Sequence, residues 1–216
     1  MENLTEIALF PIPDMVAFPG ATVPLHVFEP RYRRMINECV DSGRLLGVCH
    51  TRKTIRTAPT QQSVEQALSS NQATYQPQSV FSAGECRVQQ TLDDGRILVT
   101  IHMSARYRII SQQQTLPYVT ALCEPVADVE MGQMELDSAQ QLKGRIIKRL
   151  LAIVQDAGDQ VPVEELQSHW GALSSAAFSF SVFELVRFDP DLMQTILEIT
   201  NPVERLQTIA DVIQAA

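Results

Sequence analysis

The sequence predicts an α+β protein: a strongly bent antiparallel β lobe over residues 1–125, close to a barrel and carrying one helix, followed by a helical lobe over residues 126–216. Three observations lead to the division into a β lobe and a helical lobe. Up to Pro125 the apolar residues alternate or form short runs bounded by Pro, Gly and Asp turns. After Pro125 the apolar period changes to 3.6. The charge changes too: residues 1–125 hold 11 Lys+Arg and 11 Asp+Glu, residues 126–216 hold 6 and 14, so the net −8 falls entirely in the second half.

In chain order, Ile7 to Phe10 reads as a strand, and Pro11 and Pro13 bar their segment from a helix interior and from a central ladder position. Pro19-Gly20 suits the centre of a type II turn, where Pro presets the first φ and Gly accepts a positive second one. Thr22 to Phe28 is the next strand. Pro30 fits the first position of a helix running to Asp41, with Tyr32, Met35, Ile36, Cys39 and Val40 at helical spacing and Gly43 as its stop. Leu45 to His50 is a short strand. Thr57 to Ser79 is rich in Gln, Ser and Thr, with Glu65 its single charge, and is expected to be a mobile loop outside the core. From Val80 the β pattern returns. Asp94-Gly95 predicts a type I′ hairpin, Arg96 to Met103 its return strand, and Pro117 to Glu124 the last strand. In the second half, Leu136, Ala139, Leu142, Ile146, Leu150, Ile153 and Val154 make one stripe, ended by Gly158. A second helix is expected over Ser174 to Phe188, a third after Asp189-Pro190, and a fourth after Asn201, an N-cap with Glu204 at N3.

The stretch Leu9 to Tyr32, LFPIPDMVAFPGATVPLHVFEPRY, matches nearly all of the pattern L-F-P-L-P-x-x-V-x-F-P-G-x-x-x-P-L-x-I-F-E-P-R-Y. With Ala105 to Ile109, Pro117 to Glu124 and the C-terminal LMQTILEITNPVERLQTIADVI, it resembles the N-terminal, substrate-recognition domain of the Lon protease family. The resemblance implies a PUA-like β lobe and a non-enzymatic recognition or adaptor module that binds unfolded polypeptide or a protein partner. Against that pattern, residues 57–79 read as an insertion, and the chain reads as the recognition domain standing alone. A nucleic-acid-binding PUA-like protein and a hydrolase with an unrecognised site are the alternatives.

The residues themselves give little catalytic chemistry. There is no G-x-x-x-x-G-K-[ST] to cradle a phosphate, and the only lysines, Lys53, Lys143 and Lys148, stand beside no peptidase signature. Adjacent strand residues such as Cys49 and His50 point to opposite faces and cannot form a dyad directly. His26, His50, His102 and His169 show no metal-ligand spacing, and Cys39, Cys49, Cys86 and Cys123 form no C-x-x-C. No catalytic residue, metal or cofactor is therefore expected. No apolar run is long enough for a membrane span and no secretory signal is visible, so a cytoplasmic protein with reduced thiols is expected. An acidic second half disfavours nucleic acid, although a groove built from Arg31, Arg52, Lys53 and Arg56 would favour it. The candidate binding residues are Arg31 and Tyr32 at the helix start and Trp170 as an aromatic anchor. Glu29 and Arg106, each embedded among apolar residues, are expected to pair with one another, since a lone buried charge is costly.

Overall fold

Thr5–Pro11 forms β1, and its side chains divide between two apolar clusters. Ile7 and Leu9 join Cys49, Phe81, Ala83, Ala121 and Cys123, whereas Ala8 joins Leu46, Val48, Ile101 and the buried face of a helix. Strand side chains alternate, so β1 lies between two layers of packing. The computed structural model describes residues 4–56, 73–156 and 162–215. The chain divides into two compact units, Met1–Val126 and Ala127–Ala216, the first β-rich and the second helical, a mixed α+β fold.

In the first unit β1 is followed by β2 (Thr22–Val27), α1 (Pro30–Ser42), β3 (Leu46–Cys49), β4 (Thr51–Arg56), β5 (Thr74–Pro77), β6 (Val80–Thr91), β7 (Ile97–Gln114) and β8 (Val119–Pro125). The main sheet runs β2-β7-β6-β3-β1-β8, and β7 also pairs with β8. Five strands, β7, β6, β3, β1 and β8, thus close into a ring, with β2 attached outside it to the first part of β7. β7 spans 18 residues, and its pairings with β6 and β8 are broken by register shifts, the irregularities that bend and twist a strand. At one shift Gly84 is obligatory, because a Cβ there would lie 1.6 Å from the His102 carbonyl oxygen. β4 and β5 form a separate two-stranded ribbon.

The turn at Pro19-Gly20 is the expected type II: Ala21 N–H donates to Phe18 O at 3.2 Å and Gly20 has φ 92°. The hairpin at Asp94-Gly95 differs from expectation. Gly95 N–H donates to Leu92 O at 2.8 Å, and only Gly95 has positive φ, whereas a type I′ turn needs it at both centres. One further turn residue, Asp93, gives a longer loop with glycine in the left-handed position. The loop expected over Thr57 to Ser79 falls mainly outside the described residues, but Thr74–Pro77 is strand β5. Its Gln and Pro content concealed a strand held by β4 and by a bond from Arg31 of α1.

The helical unit holds α2 (Gln133–Asp156), α3 (Val163–Ala172), α4 (Ser175–Ser181) with a 3₁₀ turn over Val182–Glu184, α5 (Pro190–Glu198) and α6 (Pro202–Ala215). The expected helix over Ser174 to Phe188 is therefore shorter, and α3 occupies a stretch read as lying between helices. Asp189 and Asn201 cap α5 and α6 through their side-chain oxygens. The centre of this unit is Arg205, fully buried. Its guanidinium grips the Asp128 carboxylate through two bonds of 2.8 and 2.7 Å, donates to Ser179 Oγ at 2.7 Å, and lies 4.0 Å over the Phe180 ring. A buried cation is tolerable only with partners of this kind.

Candidate functional site

The β unit opens a cavity of about 260 Å³ between the end of β1, the end of β2 and the start of α1. Its walls come from Phe10 to Pro13 and Met15, from Leu25 to Glu29, from Arg31 and Tyr32, and from Ala73 and Tyr75. Local sequence explains the opening. Pro11 and Pro13 end the β1 ladder, and only Phe28 and Glu29 separate the end of β2 from Pro30 at the start of α1, so three chain segments diverge at one point.

The wall is mostly apolar and aromatic. Tyr32 lies against Phe10 with ring centroids 4.1 Å apart. Burial pushes the Tyr32 hydroxyl up to about 12, with the Glu29 carboxylate adding to the rise and the Arg31 cation opposing it, so it stays neutral near pH 7. The one charged feature is self-compensated. Arg31 Nε donates to Glu29 at 3.0 Å, Nη1 donates to Thr74 Oγ1 at 3.1 Å, and Nη2 donates to Ala73 O. The same guanidinium lies 4.5 Å from the Tyr32 ring centroid. Arg31 therefore ties the returning strand β5 to the start of α1 while forming part of the cavity wall.

The structure sorts the expected site residues into different roles. Arg31 and Tyr32 meet in the cavity, but as wall residues: the Arg31 side chain is 9% exposed and Tyr32 6%. Trp170 is corrected from a partner anchor to a core residue. It is 1% exposed, with its ring edge-on to Phe178 at 5.7 Å, so no partner can reach it. Glu29 has Arg31 as an ion-pair partner at 2.9 Å. Arg106 is buried in β7 opposite Ser82, and Val126 N–H donates to its carbonyl. The residues that sequence reasoning missed are Phe10, Leu25, Phe28 and Tyr75. The only available signal was the cluster of prolines around F-P-I-P and V-F-E-P, which marks strand ends but not the space between them.

Nucleophilic thiol chemistry finds no support at neutral pH. Burial pushes Cys39 and Cys123 up to about 12 and Cys86 to about 11, and Cys49 rises well above its ordinary value. All four are protonated near pH 7, and the thiolate is the reactive form. Among the described residues no group of three or more His, Cys, Asp and Glu is arranged to hold a metal ion. No described helix is long and apolar enough to cross a membrane.

A family profile described as the ATP-dependent protease La (LON) substrate-binding domain matches residues 6–215. Among curated relatives, Lon protease 1 of Herpetosiphon aurantiacus is 22% identical over 216 residues, covering 93% of this chain and 24% of the relative. Lon protease of Geobacter metallireducens is 20% identical, covering 94% of this chain and 23% of the relative. The chain thus spans about a quarter of the length of these relatives. Among solved structures, the N-terminal domain of Mycobacterium avium complex Lon protease aligns over 97% of this chain and 98% of that one, with TM-score 0.68 and 15% identity. A Lon N-terminal domain protein from Xanthomonas campestris aligns over 96% and 98%, with TM-score 0.56 and 20% identity. At these identities the structural likeness concerns the fold.

Proposed function

Because the chain belongs to the family of LON substrate-binding domains, we propose that it is a non-catalytic recognition module that binds unfolded polypeptide or a protein partner, and that the cavity between β1, β2 and α1 receives an apolar side chain of that ligand. The observation that carries this reading is the cavity's size and lining. At about 260 Å³ it lies just below the roughly 300–1,000 Å³ of small-molecule sites, and its one ion pair is already satisfied. It suits a side chain better than a charged metabolite. Fully burying one Leu or Phe yields about 1.5–3 kcal/mol, so each engagement is weak. Weak, repeatable engagement suits a surface that samples many segments of an unfolded chain.

The free side of β2 supports a pocket-based mode over simple strand addition. Among the described residues β2 pairs only with β7. Met103 N–H donates to Ala21 O, and the ladder alternates from there, so the main-chain groups of Thr22, Pro24 and His26 face away from β7. Proline at the middle position removes the central donor from that edge. A peptide laid along β2 would lack that bond, and the side-chain cavity at the end of the strand has to supply specificity.

The test is a fluorescence titration with a reduced and carboxymethylated, permanently unfolded polypeptide. Phe28 stands at the rim, 36% exposed. Phe28→Asp should weaken binding about tenfold or more, the loss of one buried aromatic contact, with the circular dichroism spectrum unchanged. Ile110→Asp, on an exposed residue outside the cavity, should bind like the parent. Equal binding by the parent and Phe28→Asp would remove the cavity from the mechanism.

A further inference from the structure

Cations in the β unit are mostly compensated. Arg31, Arg34, Arg44, Arg87, Arg96 and Arg108 each rest on a carboxylate. Arg33 donates to the Asp94 carbonyl. Strand β4 is different. Arg52, Lys53 and Arg56 lie within five consecutive exposed residues, and among the described residues none of the three has an ion-pair or hydrogen-bond partner for its side chain. This concentration of positive charge sits beside the cavity. Thr54 pairs with Tyr75 and Arg56 with Thr74, while Tyr75 and Ala73 belong to the cavity wall. Residues opposite one another in an antiparallel pair are about 4.5–5.5 Å apart, so Arg56, opposite Thr74, has its backbone one strand's width from the chain that carries the wall residues Ala73 and Tyr75, and Lys53 follows opposite Gln76.

We propose that the cavity and β4 form one composite site, and that its ligand is a polypeptide segment in which an apolar or aromatic residue is flanked by Asp or Glu. This deepens the recognition reading above and rests on it. The cavity supplies an apolar seat whose ion pair is already made, and the neighbouring strand supplies three cations with no countercharge among the described residues. A carboxylate-flanked apolar residue complements both, and the exposed cations draw it in before the side chain docks. Protection of an exposed edge would by itself account for some charge on β4. It does not account for three cations within five residues beside the cavity, when β2 is protected by a single uncharged proline. A single-stranded nucleic acid would meet the same cations but few stacking platforms, since Tyr75 is engaged in the cavity wall.

The experiment uses two short synthetic peptides with the same central Leu-Phe, one flanked by aspartates and the other by serines, titrated against the full chain by fluorescence anisotropy. At low ionic strength the aspartate peptide should bind roughly tenfold more tightly, the sum of a few exposed charge contacts, and high salt should erase the difference. The triple variant Arg52→Ser, Lys53→Ser, Arg56→Ser changes only exposed side chains. It should lose the preference while binding the serine peptide like the parent. Equal binding of both peptides by the parent, or a preference that survives in the triple variant, overturns the proposal and leaves the cavity reading standing. Failure of both peptides to bind overturns the cavity reading as well. Tighter binding of a single-stranded oligonucleotide through the same three residues overturns the choice of ligand.

Discussion

Arg31 shows how a residue's role depends on partners far along the chain. It was legible as a polar member of the E-P-R-Y motif, but not as a cavity-wall residue, because Ala73 and Thr74 lie 42 and 43 positions away. Periodicity over a helix cannot report such a contact. Removing one partner of a buried ion pair typically costs about 3–5 kcal/mol. The Glu29–Arg31 pair is largely buried, with side chains 12% and 9% exposed, so Arg31→Ala should lower stability by an amount approaching that range. Glu29→Ala combined with Arg31→Ala should cost clearly less than the sum of the singles in urea unfolding. The parallel cycle with Arg106→Ala tests the Glu29–Arg106 pairing expected from the sequence, and additive singles there would separate the two residues. The buried thiols give a second expectation at this scale. Cys39 and Cys123 hold their protons to about 12, against an ordinary 9.0. Unfolded thiols ionise from about pH 9, so above that point the unfolded state binds fewer protons and stability falls with rising pH. The contribution is intact below about pH 9 and is lost progressively until roughly pH 12. Urea midpoints at about pH 8 and pH 10 should show the drop, and Cys123→Ala should reduce it, leaving the share of the other buried thiols.

Among elements, those with strong local punctuation were readable and those held by distant partners were not. The strand–turn–strand–helix run from β1 to α1 was predictable because Pro19-Gly20, Pro30 and Gly43 each impose a local conformation. Helix α3 was missed because Trp170 is its one buried residue, which leaves no apolar stripe to detect. Strand β5 was missed because its pairing with β4 and its tie to Arg31 are invisible locally. Strand β2, whose local punctuation includes Pro24, has a testable weakness. Pro24→Val would restore an outward N–H and a strong strand former to an otherwise open edge. That variant should keep the fold yet self-associate more readily at high concentration, as read by light scattering. Unchanged scattering would mean that another element already covers the edge.

Across the whole molecule, the two-part composition was plain from the change of period and of charge near Pro125. The closure of the β unit was implied only by family resemblance, because ring closure depends on β7 pairing with both β6 and β8, and on β1 and β8, far apart in the chain, pairing with one another. The helical unit contains a buried polar cluster around Arg205. Arg205→Ala would leave Asp128 without its bidentate partner and Ser179 without its donor. It should destabilise that unit by about 3–5 kcal/mol, whereas Arg149→Ala, at an exposed position of α2, should lie within about 0.5 kcal/mol of the parent. Calorimetry on the full chain would read both.

The ring of five strands also sets a timetable for exchange with heavy water. A closed ladder has no outermost strand from which opening can start, so amides inside it exchange only when the whole unit opens. Strand β2 is bonded along one side and can detach alone. After transfer to deuterium oxide, the amides of Val23 and Leu25 should lose their protons well before those that bond β1 to β3 and β8. The interval between the two sets measures how much more often the cavity's β2 wall comes away than the ring behind it.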